Sequence, residues 1–403
     1  MLRIFGAISE VFYISIVAYS FERITALFAE CNDGIMKKTL FMLPSMALGG
    51  TEKSLLNLLD TMDPDEHDVT LLLCRKEGAL LGQVPQWVKV TEVPDYDSIS
   101  FDLSVSPFIL TVRYAKRVRL INACNLFFRH LWFRLTKDRT PFYRYVLRKH
   151  HFEGQYDTAI AYLGPDDSLS AYVLNCISSS EKIQWIHFDV SKYLFHKESC
   201  KKLYREFDRI NVVSEGAKDA LLGILPELSS KTFVVHNVVS EKKCLELANS
   251  GQGFDDDYHG MRIITVGRLS EEKGQDIIPE IAHLLKEQGV DFRWYIIGEG
   301  FLEERIREES KKHSVEDCVI LTGSKTNPYP YYKEADIYAQ TSKHEGFGLT
   351  LAEAKVFHLG IVTTPCTGAA EQLNGVDHAY IINRNAKEFA EAIQKIGKER
   401  ENG

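Results

Sequence analysis

Several things are missing from this chain, and each absence narrows its role. Its eight cysteines include no Cys-x-x-Cys pair and no His/Cys spacing that would hold a metal. Free thiols in a reducing cytosol are therefore the expectation. No Gly-x-Gly-x-x-Gly follows the first strand-like segment, which argues against a dinucleotide oxidoreductase. Residues 4 to 21 are apolar apart from Glu10, yet the uncharged run Val11–Phe21 is too short to span a bilayer. No small-x-small cleavage site follows it, and Glu30 spoils Leu27–Cys31 as a lipoprotein box. A positive balance is missing as well. The formal net charge of −8 excludes nucleic-acid binding by bulk electrostatics. Met36-Lys37-Lys38-Thr39 reads as a natural beginning, so residues 1–35 are expected to be an extension or a mis-assigned start.

What is present is a soluble-type composition, 45% hydrophobic over 403 residues, long enough for two or three domains. From Thr39 short apolar runs alternate with amphipathic stretches, the pattern of βαβ units on a parallel sheet. Strands are predicted at Thr39–Leu43, Val69–Cys74, Val88–Val93, Thr158–Leu163, Ile183–His187, Ile210–Ser214 and Phe233–His236. After a polar stretch the rhythm restarts at Arg262–Gly267, Arg293–Ile297, Val319–Thr322, Ala335–Ala339, Ile361–Thr364 and Ala379–Ile382. The expectation is an α/β protein of two Rossmann-like domains facing a cleft. The first covers 36–239, a linker covers 240–260, and the second covers 261–403. The Asp255-Asp256-Asp257 run inside that linker reads as a solvated acidic stretch rather than a metal site.

The most informative stretch is Glu345-Gly346-Phe347-Gly348-Leu349-Thr350-Leu351-Ala352-Glu353. Gly346 and Gly348 let the backbone approach a ligand. The helix that begins there turns its N–H groups and positive dipole end toward an anion. Carboxylates on either side accept from hydroxyls and repel phosphate. Polyol, diphosphate, polyol is the order of a nucleotide sugar. In open α/β sheets ligands bind beyond the carboxyl ends of strands. Gly267, Arg268 and Lys273 follow one strand, and Gly298-Glu299-Gly300, another loop for close approach to a ligand, follows the next. In the first half Gly49-Gly50 opens a helix, and His187 ends a strand. A guanidinium fork and an ammonium point charge placed in this way suit a diphosphate.

This ordered set resembles the GT-B glycosyltransferases of the group 1, or family 4, type, over roughly residues 36–390. The Arg268…Lys273 plus Glu345-x7-Glu353 combination is the specific part of the likeness. The resemblance implies that Glu345 holds the donor sugar, Glu353 the ribose diol, and Arg268 and Lys273 the diphosphate. Backbone N–H groups of Phe347, Gly348 and Leu349 would assist, and Thr322, Gly323 and Lys325 would meet the base. Gly50 and His187 would serve the diphosphate and an outer sugar hydroxyl. No metal or other cofactor is implied beside the nucleotide sugar, which would be UDP-linked, and the anomeric configuration would be retained. Family members usually end in a helix crossing back to the first domain. Here the chain ends at Gly403, which suggests a truncated second domain.

From Arg113 to His150 there are 11 Lys or Arg and one acid, Asp138, a balance of +10 that leaves −18 on the rest. Phe127, Phe128, Trp132, Phe133, Phe142, Tyr143 and Tyr145 interleave with them. Such a segment suits an anionic membrane surface, on the cytoplasmic face, where a lipid-linked acceptor resides. The expected role is sugar transfer to a lipid-linked or saccharide acceptor in envelope, capsule or exopolysaccharide synthesis. The alternative is a catalytically weak homologue serving as scaffold or partner of an active transferase. A GT-B epimerase or phosphorylase is a further one.

Overall fold

The computed structural model describes residues 36–116, 120–193 and 197–401. Residues 1–35, expected to be an extension or a mis-assigned start, lie outside them, as does the end of the chain. Contacts divide the chain between His236 and Asn237.

The first unit holds seven parallel strands: β1 Lys37–Leu43, β2 His67–Leu73, β3 Lys89–Glu92, β4 Phe152–Ala161, β5 Ile177–Ile186, β6 Arg209–Val212 and β7 Thr232–Val234. Their order is β3-β2-β1-β4-β5-β6-β7. The second holds six parallel strands: β8 Met261–Val266, β9 Phe292–Ile297, β10 Val319–Gly323, β11 Ile337–Gln340, β12 Gly360–Thr363 and β13 Ala379–Ile381. Their order is β10-β9-β8-β11-β12-β13, that of a doubly wound Rossmann sheet. The winding reverses between β1 and β4 in one sheet and between β8 and β11 in the other, and ligands gather at such points.

Parallel strands covered on both faces read as continuous apolar runs, which is why the rhythm was legible. In the second unit alternate residues feed two cores. Ile263, Trp294, Ile296, Ile337 and Val362 pack under the helices Ile278–Glu287 and Ala386–Glu401. Ile264, Tyr295, Ile297, Tyr338 and Ile361 face the helices Tyr329–Glu334 and Leu349–Val356. Period-two alternation sends neighbours to opposite faces. Across the winding point Trp294 Nε1 donates to Thr265 Oγ1 at 3.0 Å, and Thr265 donates to the Ala339 carbonyl at 2.6 Å. Three strands are thus tied just beneath their carboxyl ends.

The stretch expected to be a linker, 240–260, is built differently. Ser240 caps a helix, Glu241–Asn249, by accepting from Lys243 N. Cys244 and Ala248, four apart, bury its one apolar stripe in the second unit's core. Asp256 is not a solvated acid either. It accepts from Tyr295 Oη at 2.5 Å, Arg262 at 2.9 Å and Arg293 at 3.0 Å, so it staples the segment to β8 and β9. Burial raises its carboxyl's pKa, but those donors outweigh it and hold the value at about 2. No helix among the described residues is long and apolar enough to cross a membrane.

Candidate active site

Two loops meet where the second sheet reverses its winding. After β8 the chain passes Gly267 and the exposed Arg268, then turns at Ser270, whose carbonyl accepts from Lys273 N and Gly274 N. Gly274 takes a left-handed conformation at φ 62°, where a Cβ would lie 2.6 Å from the Thr341 carbonyl. After β11, Thr341 Oγ1 donates to the Lys273 carbonyl at 3.2 Å, and Lys343 N to the Glu272 carbonyl at 2.7 Å. These ties fix the central pair. Lys273 Nζ stands 2.6 Å from Glu345 Oε1, which also accepts from Ser342 Oγ at 2.8 Å. Glu345 is 11% exposed and Lys273 28%. An ammonium carries three donors, so Lys273 keeps capacity for an anion beside Glu345.

Gly348, left-handed at φ 82°, leads into the helix Leu349–Val356 with no side-chain cap. Leu351 N donates to the Gly348 carbonyl at 3.0 Å, so the N–H groups of Leu349 and Thr350 are those this end turns toward an anion. The approach is held from below: Gln372 Nε2 donates to the Phe347 carbonyl and Thr367 Oγ1 to the Glu345 carbonyl. Gly368 lets its backbone close on Phe347, since a Cβ there would stand 2.4 Å from that carbonyl.

The second carboxylate is placed otherwise. Glu353 is 1% exposed and accepts the hydroxyls of Tyr329 and Tyr332, each at 3.0 Å, one on each oxygen. Burial and then the Glu353 charge push both tyrosine pKa values well above their ordinary range.

Gly298 and Gly300 were read as close approach to a ligand. The structure shows approach to backbone: a Cβ on Gly298 would stand 2.0 Å from the Gly267 carbonyl, and on Gly300 2.2 Å from that of Leu269. Their loop hydrogen-bonds to its neighbours through Gly267 N to the Ile297 carbonyl and Leu269 N to that of Glu299. Gly323 at the end of β10 bridges to Gly298, Thr322 Oγ1 donates to the Ile296 carbonyl, and Lys325 Nζ lies 6.0 Å from the Tyr331 ring. All the second-half candidates therefore belong to the carboxyl ends of β8 to β11, the loops that follow them and the helix after β11.

In the first unit Gly50 opens the helix Gly50–Leu59 after β1. Ser54 on that helix pairs with Tyr162 Oη at 2.9 Å, and the Tyr162 ring centroid lies 4.5 Å from that of His187. His187 is 5% exposed, and neither ring nitrogen has a hydrogen-bond partner. Burial pushes its pKa down to about 3, against a smaller raising effect of the Tyr162 backbone. Sequence reasoning missed Ser342, Thr367, Gln372 and the Tyr329–Tyr332 pair. None carries a motif, and only the fold brings them under the loops. Among the described residues no group of three or more His, Cys, Asp or Glu is arranged to hold a metal ion.

Residues 259–402 match the family model of the glycosyl transferases group 1. The second unit is similar to the group 1 glycosyltransferases over most of its length. An uncharacterized glycosyltransferase of Methanocaldococcus jannaschii is 28% identical over 179 residues, 43% of this chain and 44% of that protein. A Campylobacter jejuni N-acetylgalactosamine-N,N'-diacetylbacillosaminyl-diphospho-undecaprenol 4-alpha-N-acetylgalactosaminyltransferase is 31% identical over 186 residues, 46% and 48% of the two chains. The chain thus spans about half the length of the curated relatives it matches. Solved structures agree over nearly the whole length. Staphylococcus aureus TarM superposes with a TM-score of 0.62 at 16% identity, covering 90% of this chain and 93% of that one. Anabaena HepE does so at 0.60 and 16%, covering 90% and 89%. The chain has the GT-B fold of these glycosyltransferases.

Proposed function

We propose that the chain transfers a sugar, with retention of anomeric configuration, from a UDP-linked donor to a hydroxyl of a lipid-linked or saccharide acceptor. Envelope, capsule or exopolysaccharide synthesis is the setting, and the cytoplasmic membrane surface the place. The Lys273–Glu345 pair at the winding point, beside the N-terminus of Leu349–Val356, carries this reading. It sets a cation and a helix end for a diphosphate next to a carboxylate for hydroxyls. Arg268, Lys273 and the helix N–H groups would stabilise the charge that develops on the departing nucleoside diphosphate, so no metal is required. Glu345 would orient the sugar, and Glu353 would take the ribose diol. His187, neutral, would hydrogen-bond a sugar hydroxyl without exchanging protons. Support comes from relatives. The HepE structure holds UDP and glucose, and the Campylobacter protein is named for a diphospho-undecaprenol-linked substrate.

Thermal shift against nucleoside diphosphates and nucleotide sugars tests this, since a ligand of the native state raises its stability. A selective rise with UDP or a UDP-sugar is expected. Lys273→Ala and Glu345→Ala should each lower kcat/KM by about 100-fold or more with the fold intact. Unchanged turnover in either, or no response to any nucleotide, overturns the proposal.

A further inference from the structure

The basic aromatic stretch divides once folded. Phe142 and Tyr143 are each 1% exposed and belong to the core, so they anchor nothing outside the protein. The exposed apolar surface lies upstream and includes a helix that begins before Arg113, at Pro107. Of the sixteen exposed large hydrophobic residues among those described, eleven fall between Phe101 and Leu135. That is a patch rather than scatter, and such patches mark an interface.

It is built from two helices that pack against each other, Pro107–Lys116 and Leu120–Thr136. The second has 17 residues, of which only Ala123 and Leu126 are buried. Phe128, Leu131 and Leu135 recur at helical spacing along its outer side and are 65%, 46% and 76% exposed. Phe108, Ile109 and Val112 are exposed on the first helix. Between Asp102 and Asp138 the sequence has seven Lys or Arg and no acid. Arg113, Lys116 and Arg134 on these helices, and Lys137 just beyond the second, are solvent-exposed.

We infer that this helix pair lies in the plane of an anionic bilayer, with Phe108, Ile109, Val112, Phe128, Leu131 and Leu135 in the interface and the cations at the headgroups. An apolar face rimmed by Lys and Arg is the composition of an interfacial helix. A second copy fits poorly, because two-fold pairing would set a one-sign surface against itself. The inference deepens the membrane partner proposed above and needs nothing from the donor site.

The test uses the full chain, sedimented with phosphatidylcholine–phosphatidylglycerol vesicles and with phosphatidylcholine alone. Binding to the anionic vesicles is expected, weakened by salt, with a blue shift in the emission of Trp132, itself 45% exposed. The double variant Phe128→Ser/Leu131→Ser should lower the partition coefficient by about tenfold or more, with an unchanged melting temperature. If that pair folds poorly, Leu135→Ser alone should weaken binding. The pair Lys311→Gln/Lys312→Gln, exposed in the second unit, should leave binding as it is. Wild-type partitioning of the apolar variants overturns the inference. So does a failure to bind at low salt, or a dimer abolished by the double variant in a chain that ignores vesicles. Vesicle binding without any nucleotide response removes the donor reading alone; a nucleotide response without vesicle binding removes this inference alone.

Discussion

Burial decides what His187 can do. A histidine held neutral down to about pH 3 neither gives nor takes a proton near neutrality, so its use to a reaction is a fixed hydrogen bond. The same burial bears on stability. The unfolded imidazole takes up a proton near its ordinary 6.5, and the folded one does not until about 3. The unfolded state binds the extra proton in that window, so stability present above pH 6.5 is lost as pH falls. The slope reaches at most about 1.4 kcal/mol per pH unit. Denaturant titrations at pH 7, 6 and 5 should show His187→Gln losing less stability on acidification than the wild type. Parallel curves would contradict a buried, neutral imidazole. Glu353 offers the complementary case. Glu353→Leu withdraws the acceptor of two buried tyrosine hydroxyls and should cost about 3 kcal/mol in urea unfolding. Glu345→Ala, which breaks a partly exposed pair, should cost less than about 1 kcal/mol. Equal losses would mean that the tyrosine contacts of Glu353 hold the fold no more strongly than the Lys273–Glu345 pair does.

At the scale of elements, the strands were legible because sheets covered on both faces demand unbroken apolar runs such as Ile263-Ile264 and Trp294–Ile297. Gly348 and Lys273 were legible because a left-handed turn and a strand-end cation leave local marks. The helix Glu241–Asn249 was not, because its buried side is only Cys244 and Ala248 in a polar sequence. Asp256 was misread because its partners lie on β8 and β9, which nothing in its own neighbourhood announces. In the Gly298 loop closeness was legible, but the Gly267 carbonyl as its near neighbour leaves no mark in the local sequence. A Cβ at Gly298 meets the Gly267 carbonyl, so Gly298→Ala should displace the loop that carries Arg268 and destabilise by about 3 kcal/mol. Gly289→Ala, in open space at φ 71°, meets only backbone strain and should cost about 1 kcal/mol. Denaturant midpoints compare them. A Gly298→Ala protein as stable as Gly289→Ala would show that the two loops do not support each other.

The whole chain is two units, each with its own parallel sheet, and the proposed ligand groups for a nucleoside diphosphate belong to the second. A ligand bound there stabilises what it touches by RT ln(1 + [L]/Kd), about 2.7 kcal/mol at a hundredfold excess over Kd. Hydrogen exchange with and without UDP should therefore slow most at residues 267–275 and 341–356. The ties from Lys273 to Thr341 and from Gln372 to Phe347 hold those stretches together, so both should respond at the same UDP concentration. The helices Pro107–Lys116 and Leu120–Thr136 should stay unchanged with UDP and slow only with anionic vesicles. Protection by UDP on those helices, or on neither loop, would mean that nucleotide and membrane are not handled by separate parts of the molecule.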